Sequence, residues 1–303
     1  MIMMKYKAII LMAAAAMGLT ACYDSYEKDF EVTRAYFASQ KPLRTLVADT
    51  GMSIKVGVAI GGKREVDTRD WATFEIDQTL LDGTSFTLLP ESYYRLSDPS
   101  RMTVSNPNLA ICDVKVEFTD EFYNDANAAG KYYALPFRMT GHSQDEVLTD
   151  VTGQPKDYSI VAVKYVSKWH GTYFVRGKMT NLATDEVSEY YNKDLSRNLT
   201  RDLSTDSRNV VRRTGFGSTN VSGEALNIIV NDDLSVTLEA AGSVAIEEAS
   251  ASLNPEADGL ELAGKQPEFK ISYVFERSGV KYRVEETLTR RQNPEDDLRF
   301  EEW

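Results

Sequence analysis

Cysteine and histidine are almost missing from this chain: its 303 residues hold two of each, Cys22, Cys112, His142 and His170. A disulfide framework is therefore excluded. The sequence contains no GxSxG, HExxH, P-loop, GxGxxG or CxxC pattern, so none of the common nucleophile, metalloprotease, nucleotide or redox sites has its residues. Basic residues are also short, with Lys plus Arg at 34 against Asp plus Glu at 46 and a net charge of −12. Phosphate recognition needs a basic face that releases counterions, so nucleic acid is excluded as a partner. The same balance argues against simple electrostatic docking on anionic lipid. Long apolar runs are absent as well. The longest, Ala8 to Met17, falls short of the roughly 20 residues that cross a bilayer.

That run is nevertheless informative. Lys5 and Lys7 precede it and Leu19-Thr20-Ala21-Cys22 closes it, the layout of a signal peptide over residues 1–21. The closing tetrad resembles the lipobox of bacterial lipoproteins, in which the cysteine carries a diacylglyceryl thioether. The resemblance implies lipidation at Cys22 and a membrane anchor, because two or more acyl chains hold stably where one does not. Removing Lys5 and Lys7 leaves 32 basic against 46 acidic residues, or −14. Residues 22–32, with Asp24, Glu27, Asp29 and Glu31, read as an acidic tether. They are similar to the acidic stretch that accompanies export to the outer face in lipoproteins of the Bacteroidetes.

From there the chain alternates with period two. Ile54, Val56, Val58 and Ile60 form one apolar row; Phe74 with Ile76, and Tyr133, Leu135, Phe137 and Met139, form others. Cys112 shares a row with Val114, Val116 and Phe118, which predicts a buried, inert thiol. Tyr158 to Val166 is apolar on both faces. Gly141 to Asp157 reads as a long loop. Such strands, separated by Gly-, Asp- and Pro-containing turns, predict an all-β fold with an Ig-like β-sandwich over residues 33–166.

The second half, residues 167–303, restarts at Trp169-His170-Gly171-Thr172-Tyr173. Leu226 to Val230 and Leu234 to Leu238 form a hairpin across Asn231-Asp232-Asp233; Phe269 to Phe275 and Val280 to Val284 form another across Arg277-Ser278-Gly279. Consecutive hairpins predict an antiparallel β-barrel or a meander sandwich. Asp185 to Arg213, with Leu195, Leu199 and Leu203 at helical spacing, reads as a short helix or an irregular loop. Its Arg197, Arg201, Arg208, Arg212 and Arg213 form either a patch for a carboxylated glycan or a solvated face balanced by Asp194, Asp202 and Asp206. Asn231-Asp232-Asp233 offers oxygen ligands for Ca²⁺, but a hairpin turn explains the same residues, and no metal or cofactor is expected.

Ala35-Tyr36-Phe37-Ala38, Ile54 to Ile60, Leu89-Pro90-Glu91-Ser92-Tyr93-Tyr94 and Tyr132-Tyr133-Ala134-Leu135-Pro136-Phe137 together resemble the N-terminal β-sandwich domain of unknown function found in Bacteroidetes surface lipoproteins. Residues 169–303 are similar to the lipocalin-like domain that often follows it. The resemblance implies an outer-membrane lipoprotein facing the cell exterior, a SusC/SusD-like uptake complex as partner and a glycan as ligand. It supplies no catalytic residue, and no enzyme activity is expected. The alternative is a structural or adhesive lipoprotein that binds a protein. For a glycan, the aromatic residues outside the apolar rows are the candidate contacts: Trp169, Tyr190, Tyr191 and Trp303.

Overall fold

A computed structural model describes residues 31–63 and 67–303. The signal peptide, Cys22 and most of the acidic tether therefore lie outside the described residues. Alternation becomes strand throughout, and the chain is all-β as expected. The first half supplies β1 (Arg34–Phe37), β2 (Pro42–Val47), β3 (Ser53–Gly61), β4 (Trp71–Ile76), β5 (Thr87–Leu88), β6 (Tyr94–Leu96), β7 (Arg101–Val104), β8 (Ile111–Phe118), β9 (Tyr133–His142), β10 (Glu146–Val147) and β11 (Tyr158–Val166). The second supplies β12 (Gly171–Asn181), β13 (Val187–Tyr190), β14 (Leu199–Ser207), β15 (Val210–Thr214), β16 (Ala225–Val230), β17 (Val236–Ala240), β18 (Ile246–Asp258), β19 (Lys265–Arg277) and β20 (Val280–Arg290), and β21 (Glu301–Glu302) ends the chain.

The first sheet runs β10-β1-β3-β8-β7-β4-β9-β11-β2-β21. It folds over so that Phe37, Val56, Val58 and Val114 from one half share a core with Phe74, Leu135, Phe137 and Val161 from the other. Register follows the apolar rows: Val58 opposes Cys112, Val56 opposes Val114, and Ile54 opposes Val116. Slipping by one residue would turn each row toward water. The two apolar faces of β11 have separate destinations. Val161, Val163 and Tyr165 enter the main core, while Ile160 packs with Leu81 and Ala134 on the opposite face, beneath Phe86 and Trp303. The expected loop from Gly141 to Asp157 contains β10, which runs parallel to β1.

The second sheet runs β17-β16-β15-β14-β12-β20-β19-β18, with β13 also on β12. Its end strands β17 and β18 come together without ladder pairing, so the barrel is nearly closed. Tyr173, Phe216, Phe269, Tyr273 and Phe275 fill its interior. The segment Asp185 to Arg213 departs from the sequence reading. It forms β13, a 3₁₀ turn at Leu195–Arg197, β14 and most of β15. Helical spacing of the leucines was coincidental: Leu203 points into the barrel core, while Leu195 and Leu199 remain half-buried beside the turn.

The contacts that join the halves include an arginine cluster and a returning strand. Arg208 donates from Nε to Asp49 Oδ1 at 3.0 Å, from Nη2 to Asp120 Oδ1 at 2.9 Å and from Nη1 to Asn124 Oδ1 at 3.0 Å. Separately, the chain after β20 returns to the first sheet, where β21 pairs with β2.

Candidate functional site

The barrel wall formed by β13, β12, β20, β19 and β18 has one face toward the core and one toward solvent. On β12, Tyr173 and Val175 are buried inside, so period two sends Arg176 and Lys178 outward. Register then aligns the outward residues into two cross-strand rows. One is Ser250, Ser272, Glu285, Lys178 and Glu189; the other is Ser252, Lys270, Thr287, Arg176 and Tyr191. For Tyr191 this continues the β13 register by one residue. These rows line an open concavity of 740 Å³. Lys178 pairs with Glu285 at 2.9 Å, and Arg176 Nη2 lies 3.4 Å from Glu268. A bulge in β18 between Glu247 and Ser250, with Glu248 at φ 48°, re-aims that strand at the rim.

Gly177 sits at the middle of this wall on the inward side. A Cβ there would lie 2.4 Å from the Glu285 carbonyl oxygen, so β12 and β20 approach closely only because the residue is glycine. Tyr190, opposite Gly177 in the ladder, covers the gap. Its hydroxyl donates to Glu286 Oε1 at 2.9 Å. Glu286 also accepts from Arg213, whose Nη2 is 3.1 Å from Oε1, and Arg213 Nη2 donates to the Gly217 carbonyl at 2.7 Å. Arg213 and Glu286 are fully buried. Burial, then the Glu286 carboxylate, pushes the Tyr190 phenol well above its ordinary pKa. With Tyr190 held inside, the next residue emerges on the outside: Tyr191 is 65% exposed.

The four aromatic candidates thus separate, and only Tyr191 lies free on the surface. Trp169 is 7% exposed, with its ring 6.1 Å from Phe269. Tyr190 is half-buried and tied to Glu286. Trp303 packs edge-on against Phe86 at 4.6 Å, and its Nε1 donates to the Ile160 carbonyl at 2.9 Å. The five arginines do not form one patch. Arg213 is inside the barrel and Arg208 at the junction; Arg201 donates to the Ser218 carbonyl at 2.9 Å, and Arg212 reaches the Ala241 carbonyl at 2.5 Å.

Sequence reasoning missed the two polar rows and Glu286, and it placed Arg213 on the surface rather than inside the barrel. The available signal was the β20 row Tyr282, Val284, Glu286, Leu288, in which a carboxylate occupies an inward position.

The remaining chemistry-bearing residues have structural partners. Cys112 is buried, and burial pushes its thiol up to about 12. His142 Nδ1 is 3.0 Å from the Gln144 carbonyl, and His170 lies beside Thr205 at 3.3 Å. Asp233 Oδ1 accepts from the Ser235 amide at 2.9 Å and its hydroxyl at 2.6 Å, which accounts for the acidic turn. Among the described residues no cluster of three or more His, Cys, Asp or Glu side chains is placed to hold a metal. No helix among them is long and apolar enough to cross a membrane.

A family model whose description reads "-like, N-terminal domain" matches residues 26–146. No curated protein matches the chain. A crystal structure of a Bacteroides ovatus protein of unknown function is similar with a TM-score of 0.73 and 22% identity, over 87% of this chain and 95% of that one; the likeness shows the fold. A second B. ovatus protein of unknown function gives a TM-score of 0.44 and 14% identity, over 90% of this chain and 100% of that one. A protein described as auxiliary nutrient binding, from Bacteroides thetaiotaomicron, gives 0.39 and 11%, over 82% and 90%.

Proposed function

We propose that this chain is a non-catalytic glycan-binding lipoprotein, anchored through Cys22 on the exterior of the outer membrane and serving a SusC/SusD-like uptake complex. The leader and lipobox support the anchor. The resemblance of residues 30–166 supports the location and the uptake partner. The observation that carries the ligand is the outer wall of the barrel, where two rows of hydroxyls, ammonium, guanidinium and carboxylate groups run side by side and one of them ends at the exposed ring of Tyr191. Sugars offer hydroxyls to such donors and acceptors and an apolar ring face to an aromatic side chain.

Calorimetric titration of the full chain in mild detergent against plant, host and microbial polysaccharides tests this reading. Saturable binding to at least one is expected. Tyr191→Ala should weaken it by about 1–2 kcal/mol, or roughly five- to thirtyfold in Kd. No heat with any glycan overturns it.

A protein partner is the second reading. A 490 Å³ cleft between the two halves of the first sheet is lined by Pro42, Val56, Val161 and Leu109, with Phe300 63% exposed at its rim. Apolar surface of this kind suits protein contact. Phe300→Ala would then reduce capture of an envelope protein and leave glycan titrations unchanged.

A further inference from the structure

The two rows on the barrel wall differ in charge. Glu189 and Glu285 flank Lys178 in one, whereas the other has Lys270 and Arg176 and no carboxylate. Thr287 lies between those two cations, opposite Lys270 on β19 and Arg176 on β12. Among the described residues the Lys270 ammonium has no carboxylate within 4.0 Å, and Arg176 meets only Glu268, at 3.4 Å from one terminal nitrogen. Ammonium, hydroxyl and guanidinium therefore stand in line with donors to spare, each about 4.8 Å from the next by strand spacing. A guanidinium takes a carboxylate through two parallel N–H donors, and an adjacent ammonium adds a point charge. Tyr191 follows Arg176 in the same row, so the distance from Lys270 to the stacking ring covers three strand spacings, or about 14 Å. That length suits a short oligosaccharide lying across the strands.

Resting on the glycan reading above, we propose that this row binds an acidic sugar: the carboxylate of a uronic acid over Thr287, held by Arg176 and Lys270, with a neighbouring ring against Tyr191. The chain's net charge of −12 opposes a polyanion at long range, but at 0.1 M salt that field is screened within about 10 Å while the local contacts persist. Selectivity should accordingly come from the row itself.

The test is titration of the full chain with oligomers of galacturonate, glucuronate and mannuronate, each beside its carboxyl-reduced counterpart and beside a sulfated galactose oligomer. At least one uronate oligomer is expected to bind about tenfold more tightly than its reduced form. Lys270→Gln and Arg176→Gln should each remove most of that advantage, weakening the uronate oligomer about tenfold and its reduced counterpart much less, and leave the thermal midpoint unshifted. Equal affinity for uronate and reduced oligomers, indifference to Lys270→Gln, or binding of the sulfated oligomer alone would overturn the acidic-sugar assignment while leaving glycan capture intact. Binding of neutral polysaccharides with no uronate binding would do the same. Silence from every glycan, acidic or neutral, overturns glycan capture itself.

Discussion

A guanidinium and a carboxylate taken out of water together need most of their lost hydrogen bonds replaced. Arg213 and Glu286 achieve this with each other, Tyr190 and the Gly217 carbonyl. Arg213→Met should destabilise the protein by about 3–5 kcal/mol because Glu286 is left buried and uncompensated, and Arg213→Met with Glu286→Leu should recover much of the loss. Denaturant unfolding of the three proteins checks both statements. Tyr190→Phe leaves Glu286 without one donor and should cost about 1–2 kcal/mol. Cys112 behaves in the opposite way to a reactive thiol, since burial keeps it protonated. In the native protein it should resist thiol reagents at pH 8, and peptide mapping should find it modified only after unfolding. Its place in the core was legible from its row of alternating neighbours. The opposite fates of Tyr190 and Tyr191 were not legible, because the inward row that fixes them is polar where apolar residues mark a core.

Within the barrel wall, close contact of β12 and β20 depends on Gly177. Gly177→Ala places a methyl group against backbone of β20, which must move, and should cost about 1–3 kcal/mol. The same shift would carry Arg176 and Lys178 away from Thr287 and Glu285, so glycan affinity should fall together with thermal stability. Both hairpins, β16 to β17 and β19 to β20, could be read from the sequence because apolar rows met across turn residues. β13 and β14 escaped that reading for a physical reason. β14 turns Thr200, Asp202, Ser204 and Asp206 to solvent, and its inward side mixes Leu199 and Leu203 with Arg201, Thr205 and Ser207, so the two leucines fall four residues apart and no continuous apolar row is left to count. The outer rows of the wall were invisible for a related reason: they are assembled from five strands and exist only once register is set.

Across the whole molecule, two cores are joined at the Arg208 cluster and again where β21 and Trp303 rest on the first sheet. Partial burial acts to raise the Asp49 pKa, but the hydrogen bond and charge of Arg208, with Lys168, hold it below its ordinary value. A depressed folded-state pKa means that the contact stabilises fully above the unfolded pKa of about 3.9 and is lost as pH falls through the folded value. Asp49→Asn should therefore lower the thermal midpoint at pH 7, and the gap to the unaltered protein should narrow as pH falls below about 3.9 and close below the folded value. A gap that persists there would mean that Asp49 acts through packing rather than charge. A second run of strands was legible from the restart at Trp169 and forms its own sheet and core, whereas the return of the last residues to the first sheet was not, since a two-residue strand carries no periodicity. Capture of sugar on the outer barrel wall is tested most directly by a crystal structure of the chain with its tightest-binding oligosaccharide. Sugar rings lying across β12, β20 and β19, with one ring over Tyr191, are the predicted result. Rings seated instead in the junction crevice beside Arg208, or in the cleft beside Phe300, would contradict it.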